Sequence, residues 1–390
     1  EITTTHLYLR FKPTNENELT ILKRDSTLIL YTYPLDYEIE QEGNYYHDPE
    51  LPVDQPTYQY CAVKVDKKLP EGVEYETLAE LFIPNEDNDA NEDESPDNGR
   101  IASSRIIDAL VDEALRITGN LEEEVSAYSN ARKSKWRPAG RIQVWDDNFG
   151  SYVGVEGVEV RARRWFTTHK GIADSEGHYS CNGRFRRDAN YSIKWERYQF
   201  LIRDKWLSAA KYGGPKKRGN WNLNIRNGAQ EFYATIFRAA YHYYYKNIKG
   251  LRRPPQNGAF KTQMKIRAYN ESDGDKNGSH KEERRFLGLG SQIKVWNPQN
   301  ASRSIYATTI HELAHASHWN MWREGEDFDN SESKVKESWA RGVQWELTSM
   351  VYSDYRGGWT NRPKYTQVVV DMIESTFELF WKPCRHKQRF

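Results

Sequence analysis

The hydrophobic pattern of this chain changes its period along the sequence, and this change restricts the fold more than any other feature. In roughly the first half, apolar and polar residues alternate in short runs such as His6–Phe11, Thr27–Tyr31 and Ile142–Val144. Alternation with a period of two, rich in aromatic and β-branched residues, is typical of half-buried strands. From Ala229 onward, long stretches repeat their apolar residues every three or four positions, which is typical of amphipathic helices. We therefore predict a multidomain α+β protein.

The length of the chain, 390 residues, exceeds what one ordinary domain holds. Residues 1–130 form a predicted β-rich N-terminal domain, which includes an acidic, solvated loop at 85–98 and a helix over 101–117. Residues 138–205 form a predicted small β-sandwich, because Gly and Asp separate their short strands at regular intervals. Residues 206–390 mix helices and strands and form the third predicted domain.

Charge and hydropathy exclude two classes of partner. Lys plus Arg and Asp plus Glu each number 56, so the formal net charge is zero, whereas a nucleic-acid-binding domain carries a basic surplus. No apolar run approaches the ~20 residues that span a membrane, so we expect no transmembrane segment in this chain. The sequence begins at Glu1 and not at Met, and we take this to favour an exported protein, periplasmic, cell-surface or secreted, whose signal or anchor has been removed.

The predicted sandwich contains three motifs with a family likeness. They are Gly140–Val144, Gly157–Val160 and Ala173–Tyr179, the last ending in Gly-His-Tyr. Together they resemble a carboxypeptidase-regulatory-like domain. That resemblance implies a compact β-sandwich that accompanies other domains in secreted proteins. A sandwich of unrelated origin remains the alternative.

The strongest chemical signal lies in a predicted helix over Ser302–Trp322, which contains the run His-Glu-Leu-Ala-His. His311 and His315 are four residues apart, so a helix places both imidazoles on one face. Two such nitrogens can meet one zinc ion at about 2.0–2.1 Å each. Glu312 projects beside them, where it can take a proton from a metal-bound water. We predict a zinc site here; two histidines packed on a buried helix are the alternative.

A catalytic zinc site needs a third protein ligand. The metzincin pattern would place Gly at position 318 and His at 321, but the chain has His318 and Met321, so this family is disfavoured. The following predicted helix, Glu332–Tyr352, contains Glu337–Gly342, which resembles the gluzincin pattern of Glu, a small residue, an aromatic residue and Ala.

The gluzincin resemblance runs from His311 through this second helix. It implies a zincin-like α+β catalytic domain over residues 206–390, in which His311, His315 and Glu337 bind zinc and Glu312 is the general base. Glu346 remains an alternative ligand, because it lies nearer the centre of the apolar stripe of its helix. Thermolysin-like enzymes orient a ligand histidine with an Asp four residues after the Glu; this chain has Arg341 there, so another group must orient the histidine.

The resemblance also implies a function and a substrate. Gluzincins hydrolyse peptide bonds with zinc-activated water, so we expect a peptide, protein or glycoprotein substrate. A peptidase directed at glycoproteins or mucins, and a catalytically silent binding or scaffold protein, are the alternatives. A downstream Tyr or His commonly stabilises the oxyanion, and the candidates are Tyr352, Tyr355, Tyr365 and His386. The strand predicted over Gly288–Trp296 is expected at a sheet edge, where an extended peptide could pair with it.

Overall fold

The computed structural model describes residues 3–36, 46–83, 113, 116–117, 135–203, 209–257, 263–271, 278–281, 292–297, 301–321 and 330–356. Helices and several sheets alternate along this part of the chain, which confirms the predicted α+β class. The predicted loop at 85–98 lies outside the described residues, as does most of the predicted helix over 101–117. None of the described helices is both long and apolar enough to cross a membrane.

The N-terminal part is a three-stranded antiparallel sheet with one helix packed against it. Strand β1 (His6–Phe11) pairs with β2 (Gln59–Lys64) on one side and with β3 (Tyr75–Leu81) on the other. Helix α1 (Glu16–Arg24) begins after Asn15, whose side-chain oxygen accepts hydrogen bonds from two backbone N–H groups of the first turn. The helix covers the sheet with Leu22, which is fully buried.

Two further sheets occupy the region of the predicted sandwich. One contains β12 (Trp221–Ile225), β4 (Ala139–Asp146), β5 (Ser151–Gly154) and β8 (His178–Ser180). The other contains β11 (Lys211–Lys217), β9 (Ala189–Lys194), β6 (Glu159–Arg164) and β7 (Thr167–Ile172). Both contribute to one hydrophobic cluster through residues such as Ile142, Val160 and Tyr191. Strands β11 and β12 come from beyond residue 205, so these sheets use more of the chain than the predicted 138–205.

The last sheet has the order β10 (Phe200–Arg203), β13 (Met264–Tyr269), β15 (Gln292–Trp296) and β14 (Gly278–Lys281). Strands β10, β13 and β15 run parallel, and β14 is antiparallel to β15. The strand predicted before the histidine-bearing helix is therefore confirmed as β15. Its predicted edge position is wrong, because β15 forms ladders with both β13 and β14. Among the described strands, β14 occupies that edge.

Three long helices complete the described chain: α2 (Gly228–Tyr245), α3 (Ser302–Trp319) and α4 (Ser333–Ser349). Helices α3 and α4 were predicted within a few residues of their bounds, and α2 begins one residue before Ala229, where the helical pattern of the sequence begins. Helix α3 packs between α2 and α4. A single hydrophobic cluster joins these helices to the last sheet and to the two sandwich-region sheets, with Trp195, Phe237 and Leu313 among its buried members. The division into domains at residue 205 stays a prediction, and the apolar core is continuous across it.

Candidate metal centre

Helix α3 brings His311 and His315 together, one turn apart on one face. Their ring centroids are 4.7 Å apart with an interplanar angle of 87°, and their Nε2 atoms are 3.1 Å apart. His315 is buried, and the side chain of His311 is only 13% exposed. The two imidazoles therefore present their Nε2 atoms to the same point in a largely dehydrated position.

Helix α4 supplies the third group at this point, Glu337. Its Oε2 lies 3.4 Å from Nε2 of His311, and its Oε1 lies 3.5 Å from Nε2 of His315. Direct hydrogen bonds between these groups would be shorter, about 2.7–3.2 Å. Ligand atoms at tetrahedral positions, each 2.0–2.1 Å from one zinc ion, are about 3.3 Å apart. The two histidine–glutamate distances therefore match the spacing of ligand atoms around one cation, whereas the 3.1 Å between the two Nε2 atoms also fits a direct hydrogen bond. The three ligand atoms all lie within 4.8 Å of one another, so this group could hold a metal ion.

The alternative ligand, Glu346, lies elsewhere. Its carboxylate forms an ion pair with Lys249 at the protein surface. It shares helix α4 with Glu337, but it does not belong to the group of side chains around the histidines. Of the two glutamates that the sequence left open, the structure brings Glu337 to His311 and His315.

Glu312 is buried beside this cluster. Within the described part of the chain, its Oε2 atom has no hydrogen-bond partner. Burial, and then the negative charge of Glu337, raise the pKa of Glu312 to about 8. A buried carboxyl oxygen without a hydrogen-bond partner lowers stability. A cation held by the neighbouring ligands would favour its charged form instead.

Gln344 holds the far side of the His311 ring, and sequence reasoning did not identify it. Its Oε1 lies 3.1 Å from Nδ1 of His311 and accepts a second hydrogen bond from Nη1 of Arg341, at 2.8 Å. Gln344 is buried and lies two helical turns after Glu337. That spacing on one helix face was the signal in the sequence that could have indicated it.

His318 lies on α3 beyond the two histidines of the cluster. It is buried, and its ring packs 5.6 Å from that of Trp339 on α4. Burial, with the charge of Lys336, lowers the pKa of His318. The structure therefore places His318 in the packing of α3 against α4.

Of the four oxyanion candidates, the structure describes two. Tyr352 is fully buried, and its hydroxyl donates a hydrogen bond of 2.7 Å to Oδ2 of Asp146. Tyr355 packs, partly buried, against the hydrophobic core. Tyr365 and His386 lie outside the described residues. The choice of the oxyanion residue stays a prediction, and the hydroxyl of Tyr352 is already bound by a carboxylate.

A buried polar network surrounds Asp146, near the start of α3. Its carboxylate also accepts a hydrogen bond of 2.9 Å from Nη1 of Arg238 on α2. The ring of Tyr306 on α3 lies under the same guanidinium, and its hydroxyl lies 2.6 Å from Nδ1 of His242 on α2. One end of the α3–α4 pair is thus held by strand β4 and helix α2, and the histidine cluster lies further along α3.

No family model, no curated protein and no solved structure matches this chain. The resemblance to gluzincins therefore stays a prediction from the residues of the two helices.

Proposed function

We propose that this protein is a zinc-dependent peptidase. The observation that carries the proposal is the convergence of Nε2 of His311, Nε2 of His315 and the carboxylate of Glu337, at separations of 3.1–3.5 Å. Two imidazoles and one carboxylate form a common donor set of catalytic zinc sites, which keep a fourth position for water or substrate.

Zinc at such a site supplies hydrolytic chemistry, because it polarises a carbonyl group and lowers the pKa of water to about 7. Glu312 accepts the proton from the attacking water and returns it to the leaving amine. Burial supports this role, because it keeps bulk water away from Oε2. A cation held by the neighbouring ligands would favour the charged form of Glu312, which is the form that accepts a proton.

The edge strand β14 is the proposed place for an extended substrate. It pairs with β15 on one side, and helix α3 packs close to it. Among the described strands, none pairs with its other side. A peptide can add to such an edge through backbone hydrogen bonds, next to the helix that carries the histidine cluster. This assignment replaces the sequence-based expectation that β15 receives the substrate.

The alternative outside the enzyme class is a catalytically silent binding or scaffold protein. The environment of Glu312 disfavours this alternative. A purely structural zinc site has no use for a buried carboxyl group whose oxygen lacks a partner. Such groups destabilise a fold and are commonly retained where they take part in chemistry.

The test combines metal analysis with digestion of a broad peptide and glycopeptide library. We expect about one zinc per chain, bound in part through His311. Cleavage by the wild-type protein should stop with a chelator and return with zinc. Glu312→Gln keeps the shape of the side chain but removes the base, so it should bind zinc normally and cleave roughly 10²–10⁴-fold more slowly. Glu346→Gln is the matched control on the surface and should cleave like wild type.

Three outcomes would contradict the proposal. Full zinc occupancy in the His311→Ala/His315→Ala double variant would place the metal elsewhere. Equal cleavage by wild type and Glu312→Gln would identify another active site or a contaminant. A wild-type protein that binds zinc but cleaves nothing in the library would favour the scaffold.

A further inference from the structure

The amide of Gln344 has a defined orientation, and this orientation determines which nitrogen of His311 carries a proton. Nη1 of Arg341 lies 2.8 Å from Oε1 of Gln344. A guanidinium can only donate hydrogen bonds, so the atom facing it must be the amide oxygen and not the amide nitrogen. The same oxygen lies 3.1 Å from Nδ1 of His311. Because this oxygen only accepts, Nδ1 of His311 must be the donor and carry the hydrogen.

A hydrogen on Nδ1 leaves the lone pair of a neutral imidazole on Nε2. Nε2 is the atom that lies 3.1 Å from Nε2 of His315 and 3.4 Å from Glu337. The hydrogen bond also restricts rotation of the ring about its bond to Cβ. Gln344 thus selects the tautomer with which His311 can bind a metal, and it holds the ring in the required plane.

The hydrogen bond between Gln344 and His311 is largely buried, so its loss would not be compensated by water. Gln344 is only 5% exposed, so solvent has little access to replace its carbonyl oxygen. If the oxygen were lost, the N–H of His311 would lack an acceptor in a largely dehydrated site. Glu337, Arg341 and Gln344 follow one another at intervals of four and three residues on α4, so one helix face provides the metal ligand, the group that orients the amide, and the amide itself.

We propose that Gln344 is the positioning residue of the metal centre: its side-chain oxygen, fixed by Arg341, orients His311 for metal binding. The inference rests on the proposed zinc site. Thermolysin-like enzymes orient a ligand histidine with a carboxylate at the position that Arg341 occupies in this chain. Here the uncharged amide of Gln344, three residues further along the helix, orients the histidine instead. Partners of metal-binding histidines typically contribute 10–100-fold to metal affinity.

The first experiment measures zinc affinity on the full chain by competition with a chromophoric chelator. Gln344→Met keeps the approximate volume of the side chain but has no strong acceptor, and it should bind zinc about 10–100-fold more weakly. Gln344→Glu retains an oxygen that can accept from Nδ1 of His311 and can pair with Arg341, so it should bind zinc at least as tightly as wild type. Thr348→Val, a buried change one turn further along α4, is the control and should leave the affinity unchanged.

The outcomes separate this inference from the zinc site itself. If wild type does not bind zinc, the metal centre and the role of Gln344 both fail. If wild type and Gln344→Met bind zinc equally, only the role of Gln344 fails. Weak binding by Gln344→Glu as well as Gln344→Met would assign the effect to packing and would also overturn the inference.

A second measurement needs no variant at the site. Nitrogen-15 NMR of the zinc-loaded wild-type protein distinguishes the two ring nitrogens of each histidine. We expect His311 to bear its hydrogen on Nδ1 and to bind zinc through Nε2. Zinc on Nδ1 of His311 would overturn the proposal.

Discussion

At the scale of single residues, only one of the two candidate glutamates of α4 lies next to His311 and His315. Glu337 and Glu346 stand on the same helix and are chemically identical, yet Glu337 lies 3.4–3.5 Å from the two Nε2 atoms and Glu346 pairs with Lys249. The first carboxylate therefore belongs to a group of side chains that could hold a metal ion. The second forms a surface ion pair, a type of contact that contributes little to stability.

The contrast between the two glutamates gives a direct prediction. Glu337→Ala removes one of three proposed ligands and should weaken zinc binding by more than the roughly 10–100-fold expected for a group outside the ligand set. Glu346→Ala should leave zinc affinity unchanged. Chelator competition on both variants measures the difference. Equal zinc affinity of Glu337→Ala and wild type would exclude Glu337 as a ligand.

His242 gives a second prediction at this scale, on pH. Burial, and then the charge of Lys246, lower the pKa of His242 to about 4, while Glu156, which pairs with Lys246, opposes the shift. The ring of His242 also faces the hydroxyl of Tyr306. Between pH 6.5 and 4 the unfolded chain binds more protons at this residue than the folded chain, so its contribution to stability is lost as the pH falls. At about 1.4 kcal/mol for each pKa unit, the loss amounts to roughly 3 kcal/mol at most.

Urea unfolding of wild type and His242→Gln at pH 7 and pH 5 tests this, with chelator present throughout. The variant should lose less stability on acidification than wild type. His178, whose side chain is more than half exposed, provides the control, and His178→Gln should follow wild type. An unchanged pH dependence in His242→Gln would show that this histidine does not titrate as the structure indicates.

At the scale of elements, helix α3 depends on a strand hairpin far away in the sequence. Its N-cap residue, Ala301, has no side chain that can cap the helix. Asp147, in the turn after β4, takes this role, because its Oδ1 accepts a hydrogen bond of 2.7 Å from the backbone N–H of Ser302. A carboxylate at this position also interacts favourably with the helix dipole.

Removal of this cap should destabilise the helix that carries the histidines. We expect Asp147→Ala to lower the free energy of unfolding by about 1 kcal/mol, as is typical for the loss of an N-cap side chain. Asp147→Asn retains an acceptor oxygen and should lose less. Urea denaturation of the metal-free proteins measures both. If the Ala and Asn variants were equally destabilised, the hydrogen bond to Ser302 would not be the cause.

At the scale of the whole molecule, one buried ion pair joins parts of the chain that lie about ninety residues or more apart. Asp146 ends β4, Arg238 belongs to α2, and Tyr352 follows α4; the carboxylate of Asp146 binds the other two. Asp146 is fully buried, and the side chain of Arg238 is 10% exposed. The sandwich-region sheet and the helices are therefore held together by polar contacts as well as by the continuous hydrophobic core.

A double-mutant cycle tests this connection. Asp146→Ala leaves a buried guanidinium without its carboxylate and should lower the free energy of unfolding by roughly 3–5 kcal/mol. Addition of Arg238→Met removes the unpaired guanidinium. The double variant should therefore lose less free energy of unfolding than the sum of the losses in the two single variants. The exposed pair of Arg303 and Asp354 is the control, and Asp354→Ala should cost at most about 1 kcal/mol. Additive effects at Asp146 and Arg238 would contradict the proposed coupling.

The sequence alone determined what depends on local spacing. Residues four apart on a helix share a face, so the pairing of His311 with His315 followed from the sequence, as did the three long helices. The short helix α1 was not predicted, because its nine residues form too brief a pattern to be distinguished from the strands around it. Its signals were local but few: Asn15 as the cap and the acidic residues of the first turn.

Only the tertiary structure decided what depends on the packing of distant elements. The helical pattern of α4 placed Glu346 nearer the apolar centre, but the way in which α4 packs on α3 brings Glu337 and Gln344 to the histidines. Because β14 pairs with β15, the edge among the described strands is β14 and not the predicted β15. The turn after β4 provides the residue that caps α3. Spacing along one element fixes which residues share a face, whereas the angle and register between two elements depend on their whole contact surface. No short run of sequence contains that information.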